Sequence, residues 1–141
     1  MVPIVLSQGL IRKDPAIVVS ERELQCLTDN MYHEARGESV IGQIAVAQVT
    51  LNRVKHDSQF KSTICGVVYQ KNQFSWTLNR QLRVKDYETY KITKALARSI
   101  LAGYYRIPEF NALYYHTTQV NPRWNRNKYI ITRIGSHIFY A

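Results

Sequence analysis

Between Ser39 and Arg53 the chain runs for thirteen residues without a charge. Val40, Ile41, Ile44, Ala45, Val49 and Leu51 leave almost no polar face, so the segment reads as a helix buried on most of its surface, started by Ser39. A helix of that kind fixes the architecture: other elements must surround it. Gln43 and Gln48 interrupt it, and each must find a hydrogen-bond partner, solvent or a cleft.

The elements available to surround it can be read on both sides. Ser20 followed by Glu23 is a capping-box pattern, and Leu24, Leu27, Met31 and Ala35 recur at helical spacing, which predicts a helix from about Glu21 to Ala35 stopped by Gly37. Ser62 is positioned to cap a short helix through Val68. Gln73-Phe74-Ser75-Trp76 alternates polar and apolar residues, as a strand or extended loop does. Asp86 opens a third long helix through Tyr90, Ala97, Ile100 and Leu101, closed by Gly103. Later, Leu113-Tyr114-Tyr115, Tyr129-Ile130-Ile131-Thr132 and Gly135 to Tyr140 are rich in β-formers, with a turn-forming stretch at Asn121 to Asn125. Helices first and a small sheet late, without alternating βαβ units, predict an α+β fold.

At 141 residues with 45% hydrophobic and 21% charged positions, one globular domain is expected. Pro3, Gly9 and Pro15 mark residues 1–19 as an extended arm, with an edge strand as one option, and the domain proper as 20–141. No apolar run reaches the roughly 20 residues that span a bilayer, and the start lacks the pattern of a secretory signal, so no transmembrane segment and no export route are expected. The net charge of +9 favours polyanionic partners: nucleic acid, anionic lipid or an acidic wall polymer. Local basic clusters occur at Arg80, Arg83 and Lys85 and at Arg123, Arg126 and Lys128. No zinc-finger spacing, phosphate-cradling glycine motif or RNP signature accompanies them. Cys26 and Cys65 are expected as reduced core residues, Cys26 lying within a helix.

Chemistry narrows to carboxylates. Glu34 falls on the stripe of Leu27 and Met31, the side of its helix that turns to the core. Burial disfavours its charged form and suits it to act as a general acid; a helix-end pair with Arg36 or His33 is the plainer alternative. His33-Glu34 begins a His-Glu-x-x-His motif, but Gly37 stands where the second imidazole belongs, and His56, His116 and His137 are isolated, so neither a metal nor another cofactor is expected. There is no Gly-x-Ser-x-Gly elbow and no Cys-His pairing. Glu38 follows Glu34 by four residues, either on the next helical turn or across a turn at the mouth of a cleft. Its role is either that of an acid at a helix N-terminus beside Ser39 or a directly catalytic one. Glycoside cleavage fits one carboxylic acid with aromatic and amide side chains for sugars to meet, and Gln73, Phe74, Ser75 and Trp76 supply these.

An ordered series of motifs then resembles the SleB/CwlJ-type cell wall hydrolases, which include spore cortex-lytic enzymes and phage lysins. It begins at Asn30-Met31-Tyr32-His33-Glu34-Ala35-Arg36-Gly37-Glu38 and runs through Gly42 to Val49 and Leu51-Asn52-Arg53-Val54. It resumes at Thr63 to Tyr69, Gln73 to Trp76, Tyr115-His116, Pro122, Trp124 and Gly135 to Tyr140. The resemblance implies a compact lysozyme-like domain, mainly helical with a small late antiparallel sheet, acting on the β-1,4 bond between N-acetylmuramic acid and N-acetylglucosamine. It also implies Glu34 as the catalytic acid, with Gln73, Phe74, Ser75, Trp76 and Tyr115 lining the cleft. The partner expected is the peptidoglycan glycan strand, met by a monomer without nucleic acid. The location expected is that of a phage endolysin, made in the host cytoplasm and acting on the bacterial wall. Two rivals stand outside this reading: a noncatalytic cationic module binding wall or nucleic acid, and an enzyme cutting peptide or amide bonds of the same polymer.

Overall fold

A computed structural model describes residues 20–56, 59–70, 73–78 and 84–141. The expected N-terminal arm and the basic residues Arg80 and Arg83 lie outside the described residues. Helix α1 spans Glu21–Ala35, with the Ser20 hydroxyl accepting from the Glu23 amide. Helix α2 spans Val40–Lys55, where Ser39 accepts from the Gly42 amide. Both starts are capping geometries that the sequence signals. Helix α3 is the short Ile64–Val68, capped by Thr63, one residue later than the expected Ser62. Ser75–Leu78 forms a single 3₁₀ turn and not a strand. Helix α4 spans Tyr87–Leu101 behind Asp86, and Gly103 follows at φ +89°.

Strands β1 (Tyr114–Thr117), β2 (Ile130–Ile134) and β3 (His137–Tyr140) form an antiparallel sheet in the order β1-β3-β2. A second 3₁₀ segment, Arg123–Asn127, occupies the expected turn between β1 and β2. β3 is the central strand, and its His137, Phe139 and Tyr140 are buried.

The charge-free helix is enclosed as its composition requires. Ile44 and Ala47 of α2 pack with Leu24, Leu27 and Met31 of α1, Ile64 and Val68 of α3, and Ala97, Ile100 and Leu101 of α4. Its Ala45, Val46 and Val49 pack instead with Ala35, Phe110, Ala112 and Phe139, joining helices to sheet. Gln48 is buried and satisfied: its Nε2 donates to the carbonyls of Ile107 and Phe110, and its Oε1 accepts from the Ile107 amide. Asn52, one turn on, donates to the carbonyls of Phe110 and Ala112. These bonds lash the 107–113 segment to α2 and thereby set where β1 begins.

The cysteines depart from expectation. Cys26 and Cys65 form a disulfide, with their Cα atoms 5.2 Å apart. The Glu23 carboxylate, one turn before Cys26, accepts from the amides of Ile64 and Cys65 at the start of α3. That contact draws the two helices together and brings the sulfurs within bonding reach, a proximity that a 39-residue separation in sequence conceals.

Candidate active site

Glu34 occupies the last turn of α1. The helix stops one residue later, at Ala35, because Arg36 leaves helical geometry and Gly37 adopts φ +89°, a conformation that suits a residue without a Cβ. The stripe that carries Glu34 is otherwise sealed, with Leu27 and Met31 inaccessible to solvent, whereas Glu34 itself is half-buried. The carboxyl group therefore sits at the boundary between core and solvent.

Burial and two neighbouring groups set its electrostatics. Burial pushes its carboxyl up from the usual carboxylate range, and the Tyr115 hydrogen bond and the Arg53 guanidinium pull the other way. The Tyr115 hydroxyl donates to Glu34 Oε1 at 2.7 Å, across 81 residues of sequence. Burial and the neighbouring Glu34 carboxylate together hold the Tyr115 phenol well above its usual range, so it stays a donor. Arg53 is buried and its Nε donates to the Leu113 carbonyl just ahead of β1, leaving Nη1 without a hydrogen-bond partner. Its guanidinium lies 4.9 Å from the Phe60 ring, 5.2 Å from Phe74 and 5.7 Å from Tyr114.

The Phe74–Trp76 segment closes the same region. Phe74 is buried and its ring meets Tyr115 at 6.2 Å. Trp76 donates from Nε1 to Asn30 Oδ1 at 2.9 Å and stacks on His33 at 4.6 Å. Asn30 precedes Glu34 by one helical turn, so this bond ties the aromatic segment to the face that carries the acid. The 3₁₀ turn explains the departure from the expected extended run: it lets Phe74 enter the core while Trp76 reaches back to Asn30. Gln73 is half-buried and Ser75 exposed, and neither hydrogen-bonds to Glu34.

Glu38 is engaged elsewhere. Its Oε1 accepts from the Ser136 amide at 3.0 Å in the β2–β3 turn, and His137 Nδ1 stands 3.9 Å away. Burial pushes His137 down from its usual value, against the pull of Glu38, so it is a neutral imidazole at neutral pH. A Cβ on Gly135 would come within 2.2 Å of Glu38 Oε1. Glu38 thus latches the turn after α1 to the hairpin, and the two carboxylates bracket that turn and do not share one helical face.

The structure accordingly brings Glu34, Tyr115, Phe74 and Trp76 into one region and adds Asn30, Arg53 and His137, which sequence reasoning passed over. Arg53 carried the same kind of signal as Glu34, a charge at helical spacing from buried Val46 and Val49. Among the described residues, the one group of potential metal ligands is Glu23, Cys26 and Cys65, and the disulfide ties up both sulfurs. No helix among the described residues is long and apolar enough to cross a membrane.

Comparison with known proteins places this geometry in context. Residues 37–140 match the family model described as Cell Wall Hydrolase, a span that begins three residues after Glu34. A spore cortex-lytic enzyme of Bacillus cereus is 38% identical over 125 residues, covering 85% of this chain and 44% of that protein. The Bacillus subtilis spore cortex-lytic enzyme is 32% identical over 122 residues, covering 85% of this chain and 38% of its own length. The chain thus spans less than half the length of these curated relatives. Among solved structures, the catalytic domain of the germination-specific lytic transglycosylase SleB from Bacillus anthracis superposes with a TM-score of 0.70 at 32% identity, covering 87% of this chain and 97% of that one. The Bacillus cereus SleB catalytic domain gives 0.69 at 31%, covering 92% and 98%. With the family model matching most of its length and the helix-then-sheet fold shared with both solved domains, the chain belongs to the cell wall hydrolase family.

Proposed function

We propose that this chain degrades peptidoglycan by cleaving the β-1,4 bond between N-acetylmuramic acid and N-acetylglucosamine, and that it does so as a lytic transglycosylase. The observation that carries the reading is the half-buried Glu34 carboxyl, protonated more readily than an exposed one and held by the Tyr115 hydroxyl. Glu34 gives its proton to the glycosidic oxygen as the bond to the muramic C1 breaks with oxocarbenium character. The carboxylate left behind accepts the proton of the muramic C6 hydroxyl as that oxygen closes on C1. The product is a 1,6-anhydro sugar, and the proton count on Glu34 is restored.

Tyr115 and Arg53 stabilise the carboxylate that exists between the two transfers. Trp76 forms the aromatic side of the cleft, backed by buried Phe74, with Gln73 and Ser75 beside it for polar contact. Glu38, spending an oxygen on Ser136, acts in this scheme as the latch that positions the end of α1 and not as a second acid. With no free carboxylate beside this acid among the described residues, an internal nucleophile is favoured over water. The relatives named as spore cortex-lytic enzymes and a lytic transglycosylase support the same substrate and reaction.

Mass spectrometry of the soluble products from purified peptidoglycan tests this, with Glu34→Gln as control. A 1,6-anhydromuramic end that Glu34→Gln abolishes is expected. A reducing muramic end makes the enzyme a hydrolytic muramidase and returns Glu38 to the catalytic role. Full activity of Glu34→Gln removes the assignment, and absence of glycan cleavage by the wild type turns the reading to a cationic binding module.

The excess of nineteen Lys and Arg over ten Asp and Glu supports electrostatic retention of the enzyme on an anionic wall. Lysis of permeabilised cells should then weaken as salt rises, and indifference to salt removes the electrostatic part of this reading.

A further inference from the structure

Successive residues of α2 point about 100° apart, so Arg53 turns toward Glu34 while Asn52, Lys55 and His56 turn toward the 106–113 segment. There a cavity of about 490 Å³ opens, lined by Lys55, His56, Arg106, Glu109, Phe110 and Asn111 among others. That volume lies within the range of small-ligand sites.

Its walls are held rigidly. Asn52 spends its amide on the Phe110 and Ala112 carbonyls, and Glu109 adopts φ 57° although it is not glycine, a strained conformation that persists when the surroundings enforce it. His56 contributes a buried Nδ1 that has no hydrogen-bond partner. Lys55 and His56 also close α2, where a cation suits the helix dipole, but that role explains neither the cavity nor the polar groups facing it from the other wall. The Lys55 ammonium and the Glu109 carboxylate, with the Asn111 amide and the apolar surfaces of Phe110 and Leu113, suit a small ligand bearing carboxylates, an amine and short apolar groups.

We propose that this cavity binds the carboxylate-bearing peptide that branches from the glycan strand, as a second site on a different face of α2 from the Glu34 cleft. The identity of the ligand rests on the reading of peptidoglycan as substrate. Occupation of the site would hold a peptide-bearing strand to the enzyme between cleavage events.

The test is an NMR titration of the isotope-labelled full chain with the free tetrapeptide L-alanyl-D-glutamyl-diaminopimelyl-D-alanine, against the same peptide with its carboxylates converted to amides. The expected result is saturable shifts in amides of residues 106–113, lost on amidation and weakened at least about tenfold by Lys55→Glu. Asn111→Ala, a second exposed position, should weaken binding without reversing a charge. Absence of saturable shifts there, or equal affinity for the amidated peptide and in both variants, overturns the proposal. Cleavage of peptide-stripped glycan strands is measured separately. Failure of that cleavage with peptide binding intact sinks the glycosidase reading alone, and intact cleavage without peptide binding sinks this site alone.

Discussion

Reducing the Cys26–Cys65 bond should lower the stability of the fold by an amount set by the loop it closes. Cross-linking residues 39 apart removes about 13 cal/mol/K of chain entropy from the unfolded state, about 4 kcal/mol at 25 °C. An unfolding entropy of about 2.1 cal/mol/K per residue over this chain length turns that into a fall in melting temperature of roughly 13 °C. The native state gives little of this back, since Glu23 still bridges α1 to the start of α3 after reduction. The assay is thermal unfolding followed by circular dichroism on protein purified without reductant, against the same protein reduced and alkylated. These are the chain's two cysteines, so the difference belongs to this bond. A change below about 3 °C, or mass spectrometry showing two free thiols in the unreduced protein, refutes the argument.

Removing the Tyr115 hydroxyl as Phe takes away a bond that favours the charged form of Glu34. The carboxyl should then titrate higher, and the alkaline limb of kcat/KM should move to higher pH; a limb that stays or moves down contradicts the assignment. Glu34→Gln should remain folded while losing turnover. Because the native carboxyl is raised above its unfolded value, its stabilising contribution is present below the unfolded value and lost as pH rises through the native one. The melting temperature of Glu34→Gln relative to wild type should therefore increase across that window, and a relative decrease counts against burial as the cause. Gly135→Ala places a Cβ at φ +56° against Glu38 Oε1 and should cost about 1–2 kcal/mol from the backbone alone, read from urea unfolding. Pairing it with Glu38→Ala should recover the part due to the clash.

The helices were legible because their starts and stops are local: Ser20, Ser39 and Asp86 cap them, and Gly37 and Gly103 end two of them. Glu34 was legible because a charge on the Leu27 and Met31 stripe conflicts with the pattern around it. What stayed hidden depends on elements that meet only after folding. The disulfide depends on α1 meeting α3, and the shape of the Phe74–Trp76 segment is set by Asn30 on α1. The bond from Glu38 to Ser136 spans 98 residues, and no spacing announces it. The partners of Gln48 and Asn52 are backbone carbonyls, whose positions carry no side-chain signature.

That latch between Glu38 and the hairpin has a consequence for anyone recombining members of this family. The space above Gly135 is already filled by an oxygen from the other end of the domain, so the two positions constrain each other. A chimaera joined once between them takes the two from different parents, so their fit has to be restored by design. A glutamate facing an alanine would push apart the hairpin and the turn that follows the acid-bearing helix, even though every residue near the join was matched.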